Sequence, residues 1–278
     1  MREKYRIIIF KYPIWYFAII TTAFMVFGCG TLVRYREIKP REIEKTEVKK
    51  PSVELKVGER LTYEVYWMKM PIGIATAEVR GVVEINGRKA YQLVGRARSN
   101  KWLSPIFKVD DYVESFLDKE SFLSIKHIAI RNEGRYHAHM ILDYDWEKRI
   151  LYFQNLVDGT KTTYPLPWDA VDEFSAFYYF RLKEISPDKP LEFIVNQVEK
   201  NWLVKIGITS FGKVNIPGLG IFPSFLITPV PHLGEKPLEK GNAWVWISND
   251  EKRVPLMLKV HVNIPIIGTV LAVLRKIE

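Results

Sequence analysis

Side chains able to do chemistry are few in this 278-residue chain, and they gather in a handful of places. His137 and His139 stand two apart in a run that alternates like a strand, so their rings share one face. Two imidazoles on one face are part of a zinc site, which needs three or four ligands. His127 is the next histidine along, and spacing marks no further ligand. A polar strand face is the stronger reading of the pair, and a metal-dependent hydrolase built on it is the weakest of three functional readings. Asp110-Asp111 and the group Asp169, Asp172, Glu173 are the carboxylate clusters. Paired carboxylates do acid–base work where burial drives their pKa values apart, but a strand edge and a helix start account for these. There is no G-x-S-x-G, no phosphate loop, no H-E-x-x-H and no cysteine pair. The sequence therefore marks no catalytic residue and no cofactor.

Cys29 is the only cysteine, so no internal disulfide is available. It follows a basic stretch (Arg2, Lys4, Arg6, Lys11) and an apolar run over 14–28, and VFGC at 26–29 has the form of a bacterial lipobox. Residues 1–28 are expected to be a lipoprotein-type signal peptide, with Cys29 lipidated after cleavage. Phe27 departs from the small residue common at that place. An uncleaved membrane anchor is the alternative. Residues 7–28 meet the roughly 20 needed to span a bilayer, although Lys11 and Pro13 interrupt them. Either reading places the chain on the periplasmic side of the cell envelope, held at a membrane. The formal charge of +9 falls to +6 for a chain that starts at Cys29. Those charges are scattered and form no basic helix, so nucleic acid is not an expected partner.

Residues 29–56 are dense in charge and poor in core residues, and are expected to be a tether. From 57 to 278 the period of two dominates and implies a single β-rich domain. Leu61, Tyr63, Val65 and Trp67 alternate with Thr62, Glu64, Tyr66 and Met68, and Pro71 and Gly73 are expected to break that strand. Asn86-Gly87 marks a tight hairpin, because both residues tolerate positive φ. Further strands are expected at 91–98, 109–117, 122–131, 136–144 and 149–155, then at 191–198, 202–209, 220–228, 243–248, 254–262 and 268–276. One helix is expected between the two groups, over 168–185. Asp169 would cap it, Pro187 would stop it, and Val171, Phe174, Phe177, Tyr178, Leu182 and Ile185 would form its apolar stripe. A lone helix among strands can bury such a stripe only on a sheet. The fold class is mainly β: a curved antiparallel sheet or half-open barrel with one central helix.

Six tryptophans (Trp67, Trp102, Trp168, Trp202, Trp244 and Trp246) join many Tyr and Phe residues in the strands. An aromatic core explains them. A curved sheet with one helix can also leave an apolar cavity that accepts a lipid or acyl chain. The stretch NIPGLGIFPSF at 215–225 is rich in Gly and Pro, and reads as a mobile lip or a membrane-facing segment. Ile221, Phe222 and Phe225 there, with Phe177 on the helix, are the candidate ligand contacts. The first functional reading is a non-catalytic envelope lipoprotein that binds a hydrophobic ligand or an envelope partner protein. The second is a structural lipoprotein with a filled core that acts as a docking module.

Four stretches carry a family resemblance: VGERLTYEVYWMKMPIGIATAEV (57–79), FKVDDYVESFLD (107–118), DEFSAFYYFRL (172–182) and WISNDEKRVPLML (246–258). In this order they resemble the bacterial exported family of unknown function DUF3108. The resemblance implies an envelope location and a β-rich fold. It brings no activity and no catalytic residues.

Overall fold

The computed structural model describes residues 47–52, 54–237, 241–262 and 268–278. Cys29 and the expected signal or anchor segment lie outside the described residues. No helix among the described residues is long and apolar enough to cross a membrane.

The strands are β1 (Arg60–Trp67), β2 (Met70–Ile85), β3 (Arg88–Ser99), β4 (Asp110–Asp118), β5 (Ser124–Glu133), β6 (Tyr136–Asp145), β7 (Ile150–Asn155), β8 (Lys161–Pro165) and β9 (Val171–Asp172). After the helix α1 (Ala176–Leu182) come β10 (Leu191–Gln197), β11 (Lys200–Ile216), β12 (Gly220–Leu233), β13 (Lys236–Pro237), β14 (Gly241–Ser248), β15 (Pro255–Val262) and β16 (Gly268–Ile277). They form one sheet in the order β8-β7-β6-β5-β4-β3-β2-β1-β16-β15-β14-β12-β11-β10-β9, with β13 on β12. Every pairing is antiparallel except β9 on β10. The path does not close, so the sheet is the expected curved, half-open one. Its two flanks approach where Tyr144 on β6 donates to Asn196 Oδ1 on β10.

Local chemistry sets most of the strand ends. Asn86 and Gly87 turn with φ of 53° and 74°, as the hairpin signal requires. The first hairpin departs from expectation. Its turn is Met68-Lys69, both at positive φ, while Pro71 and Gly73 lie inside β2. A register shift between Val65 and Tyr66 accommodates the proline. Gly73 fits because a Cβ there would stand 2.3 Å from the carbonyl oxygen of Arg98.

Three other expectations are corrected. The helix has seven residues, not eighteen: 168–175 carries β9 and a turn instead. Val171 pairs with Val195, and the Asp172 side chain is bonded to other strands, so that backbone cannot coil. The 215–225 stretch is not a loose lip. It is the end of a long β11–β12 hairpin in which Asn215 pairs with Ile221 and Val214 with Phe222. The last part of the expected tether joins the folded body. Ser52 donates its N–H to the Glu251 carbonyl, Lys49 to Asn249 Oδ1, and Leu55 is buried in the core.

Register gives the barrel two ends. At one lie the 68–69 turn, the 100–109 loop and the 134–135 and 156–160 turns. At the other lie the 86–87, 217–219 and 249–253 turns. The helix crosses the interior nearer the second end. The Lys183 carbonyl at its C-terminus accepts from Arg253 in the 249–253 turn.

Candidate functional site

Above the helix, toward the first end, the interior holds a cavity of about 140 Å³. Its far wall is apolar: Phe193 on β10, Val204 and Ile206 on β11, Ile227 on β12 and Val245 on β14, with Phe177 and Phe180 from the helix below. Small residues on β2 and β3 (Ala75, Ala77, Gly95, Ala97) leave the space unfilled. Gly95 cannot be larger, because a Cβ would stand 2.6 Å from Val113 and 2.7 Å from the Phe174 ring. Inward-facing residues pass from fully buried at Val204 and Ile227 to half-buried at Pro229 and Ala243, so the cavity opens at the first end.

The near wall is different. Strand alternation turns Asp111, Val113 and Ser115 inward on β4, and His127, Ala129 and Arg131 inward on β5. Asp111, Arg131 and Glu173 line the cavity. Arg131 lies 3.3 Å from Asp111 Oδ2 and 3.6 Å from Glu173 Oε1. Deeper in, the Asp172 carboxylate is fully buried and heavily bonded. It accepts the hydroxyls of Ser115 (2.7 Å), Ser124 (2.6 Å) and Ser175 (2.6 Å), and the N–H groups of Phe174 and Ser175. His127 Nδ1 is 3.2 Å from its Oδ1.

This environment fixes the charges. Burial works to raise the Asp172 carboxyl, but the His127 charge and the bonds from His127, Ser124 and Ser175 outweigh it and hold it well below the carboxylate range. Burial works to lower His127, and Asp172 and Glu173 outweigh that, so the imidazole is raised toward its charged form. Glu173 is raised, chiefly by burial. At the last residue of β5, Glu133 is pushed up to about 8 by burial and by the hydrogen bond and charge of Asp111.

Serine, histidine and aspartate in contact invite comparison with a nucleophile triad, and the geometry does not form one. Ser115 Oγ (2.8 Å) and Asp172 Oδ1 both meet the same ring nitrogen, Nδ1. A triad needs the serine on one nitrogen and the acid on the other. Nε2 has no hydrogen-bond partner, and Glu173 Oε1 lies 3.8 Å from it. Ser115 is fully buried beneath its strands. The cluster is a polar knot that orients the turn before the helix.

A second knot holds the other end of the helix. Arg181 makes a bidentate pair with Glu59 (2.6 and 2.9 Å) and donates to the Lys252 carbonyl. Arg253 is buried, donating to the carbonyls of Lys183 and Lys49. Asp250 Oδ1 sets that turn by accepting the N–H groups of Lys252 and Arg253.

The candidates read from sequence are dispersed. Phe177 lines the cavity, packing edge-on to Tyr63 at 6.2 Å. Phe225 is buried against Phe211, Phe222 is half-buried over the core between β1 and β16, and Ile221 is 67% exposed at the hairpin end. None of these three lines the cavity. His137 and His139 turn outward on β6 while His127 turns inward on β5, so the three do not converge. His137 instead meets Asn132 Oδ1 at 3.0 Å. Among the described residues no group of three His, Cys, Asp or Glu side chains could hold a metal ion. Sequence reasoning saw Asp111 and Asp172 but missed their partners. A signal was present: Asp111, Ser115, His127 and Arg131 are polar at strand positions whose alternation demands core.

A half-open β-barrel with one internal helix and an apolar cavity defines an open-barrel class, by shape and not by activity. The structure of a β-barrel-like protein of domain of unknown function DUF1849 from Brucella abortus shares this fold. It is 10% identical, with a TM-score of 0.55, over 82% of this chain and 99% of that one. A Bacteroides fragilis protein with a YmcC-like fold is also 10% identical, covers 82% of this chain and 98% of its own, and has a TM-score of 0.30. No curated protein matches. The chain belongs to the protein family of unknown function DUF3108, whose family model matches residues 62–274. Each of the four stretches that carry that resemblance supplies part of the two knots: Glu59, Asp111 with Ser115, Asp172 to Arg181, and the 249–253 turn.

Proposed function

We propose that this protein is a membrane-tethered, periplasmic lipoprotein, anchored through Cys29, that binds an apolar chain or small hydrophobic ligand without chemical change. The observation that carries the reading is the cavity. At about 140 Å³ it is near the ~150 Å³ of engineered apolar cavities that stay dry and take up benzene. It suits the terminal part of one acyl chain, with the remainder and any polar group at the mouth beside Arg131. A filled-core docking module would have no reason to keep Ala75, Ala77 and Ala97 opposite the aromatic residues. The polar knot adds no reactive group, since its hydroxyls and carboxylate are committed to one another.

Native mass spectrometry of the full chain, taken from membranes with a polymer and without detergent, tests both halves. The expected spectrum shows loss of residues 1–28, lipid on Cys29, and a non-covalent hydrophobic ligand. In the cavity-filling variant Ile206→Trp the non-covalent ligand is lost and the lipid on Cys29 stays. A wild-type spectrum without ligand, and no uptake of a fluorescent fatty acid below its micelle point, overturns the binding reading. An unprocessed N-terminus overturns the lipoprotein one.

A further inference from the structure

We infer that the open end of the barrel docks on an anionic lipid bilayer, so that the cavity mouth faces the membrane. This goes beyond the ligand-binding reading and does not depend on it. Large apolar side chains face solvent at several turns of this end. Met68 (62% exposed) sits in the first turn, Trp102 (44%) and Ile106 (51%) in the 100–109 loop, and Val157 (59%) with Leu156 in the β7–β8 turn. The first segments are joined into one surface. Trp102 Nε1 and Asn100 donate to the Pro71 carbonyl, and the Gly134 N–H donates to the Lys108 carbonyl beneath the Phe107 ring. A tryptophan whose N–H is satisfied while its ring stays in water is poised for the headgroup level of a bilayer.

Charge identifies the occupant. Lys69, Lys101, Lys108 and Arg135 are exposed among these apolar residues, and none of them makes an ion pair among the described residues. The 68–69, 100–109, 133–135 and 156–160 segments hold two acids against these four cations, Asp158 and Glu133, and Glu133 is drawn to Asp111 and Arg131 at the inner wall. Four unpaired cations around exposed Trp, Ile and Met match a negative lipid surface. At the opposite end Trp168 (86%) and Ile221 (67%) are also exposed, but they stand apart, on the β8–β9 connection and the β11–β12 hairpin, and Trp168 has the Arg149 guanidinium 4.0 Å from its ring centre.

Reach permits the orientation. The chain enters the folded body at the opposite end, beside the 249–253 turn. Residues 30–47 would extend to at most about 60 Å at ~3.4 Å each. An eight-residue strand such as β1 is about 26 Å long. A membrane-held Cys29 therefore allows either end to meet the bilayer.

The test is hydrogen–deuterium exchange of the full chain, reconstituted into vesicles of phosphatidylcholine with or without phosphatidylglycerol. With phosphatidylglycerol, exchange over 68–70 and 100–108 slows by about tenfold while the 86–87 turn is unchanged. Each basic residue near an anionic surface contributes about fivefold to partitioning, so Lys101→Gln with Lys108→Gln lowers the docked population about twenty-five-fold at an unchanged melting temperature. Trp102→Ser with Ile106→Ser should abolish the protection as well. Equal exchange in both lipids overturns the inference. So does protection that the glutamine variant retains, or protection already present without vesicles, which would mean a second copy covers the rim.

Discussion

The two walls of the cavity are built on opposite terms. On β4 and β5 the inward positions hold Asp111, Ser115, His127 and Arg131, each committed to a particular partner. On β10, β11, β12 and β14 they hold Phe193, Val204, Ile206, Ile227 and Val245, which touch many neighbours and depend on none. Directional bonds fix geometry, and burial fixes only volume. The polar wall therefore sets where the helix sits, and the apolar wall sets how much space remains above it. The polar wall should tolerate substitution poorly, and the apolar wall should yield in proportion to the volume removed.

The sharpest way to break this contrast is Asp172→Ala. It strips the acceptor from three buried hydroxyls and two N–H groups and leaves the charge of His127 without its partner. Removing one member of a buried pair costs about 3–5 kcal/mol. Urea denaturation should show a loss in that range or a chain that does not fold. A loss below about 1 kcal/mol, within the reach of a surface change, would mean that the knot does not position the helix.

Within the helix segment the contrast can be sharpened by two phenylalanines one turn apart. Both border the cavity, but Phe174 is buried with its ring against Gly95, whereas Phe177 is half-buried. Phe174→Ala should cost about 3 kcal/mol or more, as truncation of a fully buried phenylalanine does. Phe177→Ala should cost roughly half as much, because its ring already faces open space, and it should enlarge the cavity. Equal losses by thermal or urea denaturation would mean that the cavity is closed in solution.

The smallest effect expected is a pH slope that belongs to the polar wall. Glu133 is raised from 4.5 to about 8 by burial and Asp111, so between those values the folded protein holds a proton that the unfolded chain has released. Stability therefore falls as pH rises through that window. His127 acts in the same sense. Its raised value gives stability that is complete below the ordinary histidine pKa and lost as pH climbs through the folded one. Asp172 acts oppositely, and its contribution is lost only in strong acid. The melting temperature should be several degrees lower at pH 9 than at pH 6, and Glu133→Gln should flatten the slope. A stability that rises over this range would reverse the assignment of charges.

The sequence alone determined most of the strands, many to within a few residues of their ends, although it missed β8 and stopped β11 seven residues short of Ile216. Alternation such as Leu61, Tyr63, Val65 is a local property of the pleat, and the Asn86-Gly87 turn is set by two backbones that accept positive φ. The half-open curvature followed too, since many antiparallel strands with one interposed helix leave few other ways to bury the stripe. What tertiary structure decided is where local rules were overruled. The periodicity over 168–185 is helical, yet Asp172 is pulled into an extended strand by Ser124 and Ser115, 48 and 57 residues earlier in the chain. The cavity was equally out of sight, because it is the space between Gly95 on β3 and Ile206 on β11, and no run of residues contains both. The polar wall lay between these cases: its residues were visible, but their partners were not. A hydrogen bond between distant strands leaves no trace in the spacing of either one. Only when the sheet curls do Asp111, His127, Arg131 and Glu173 come to share a wall.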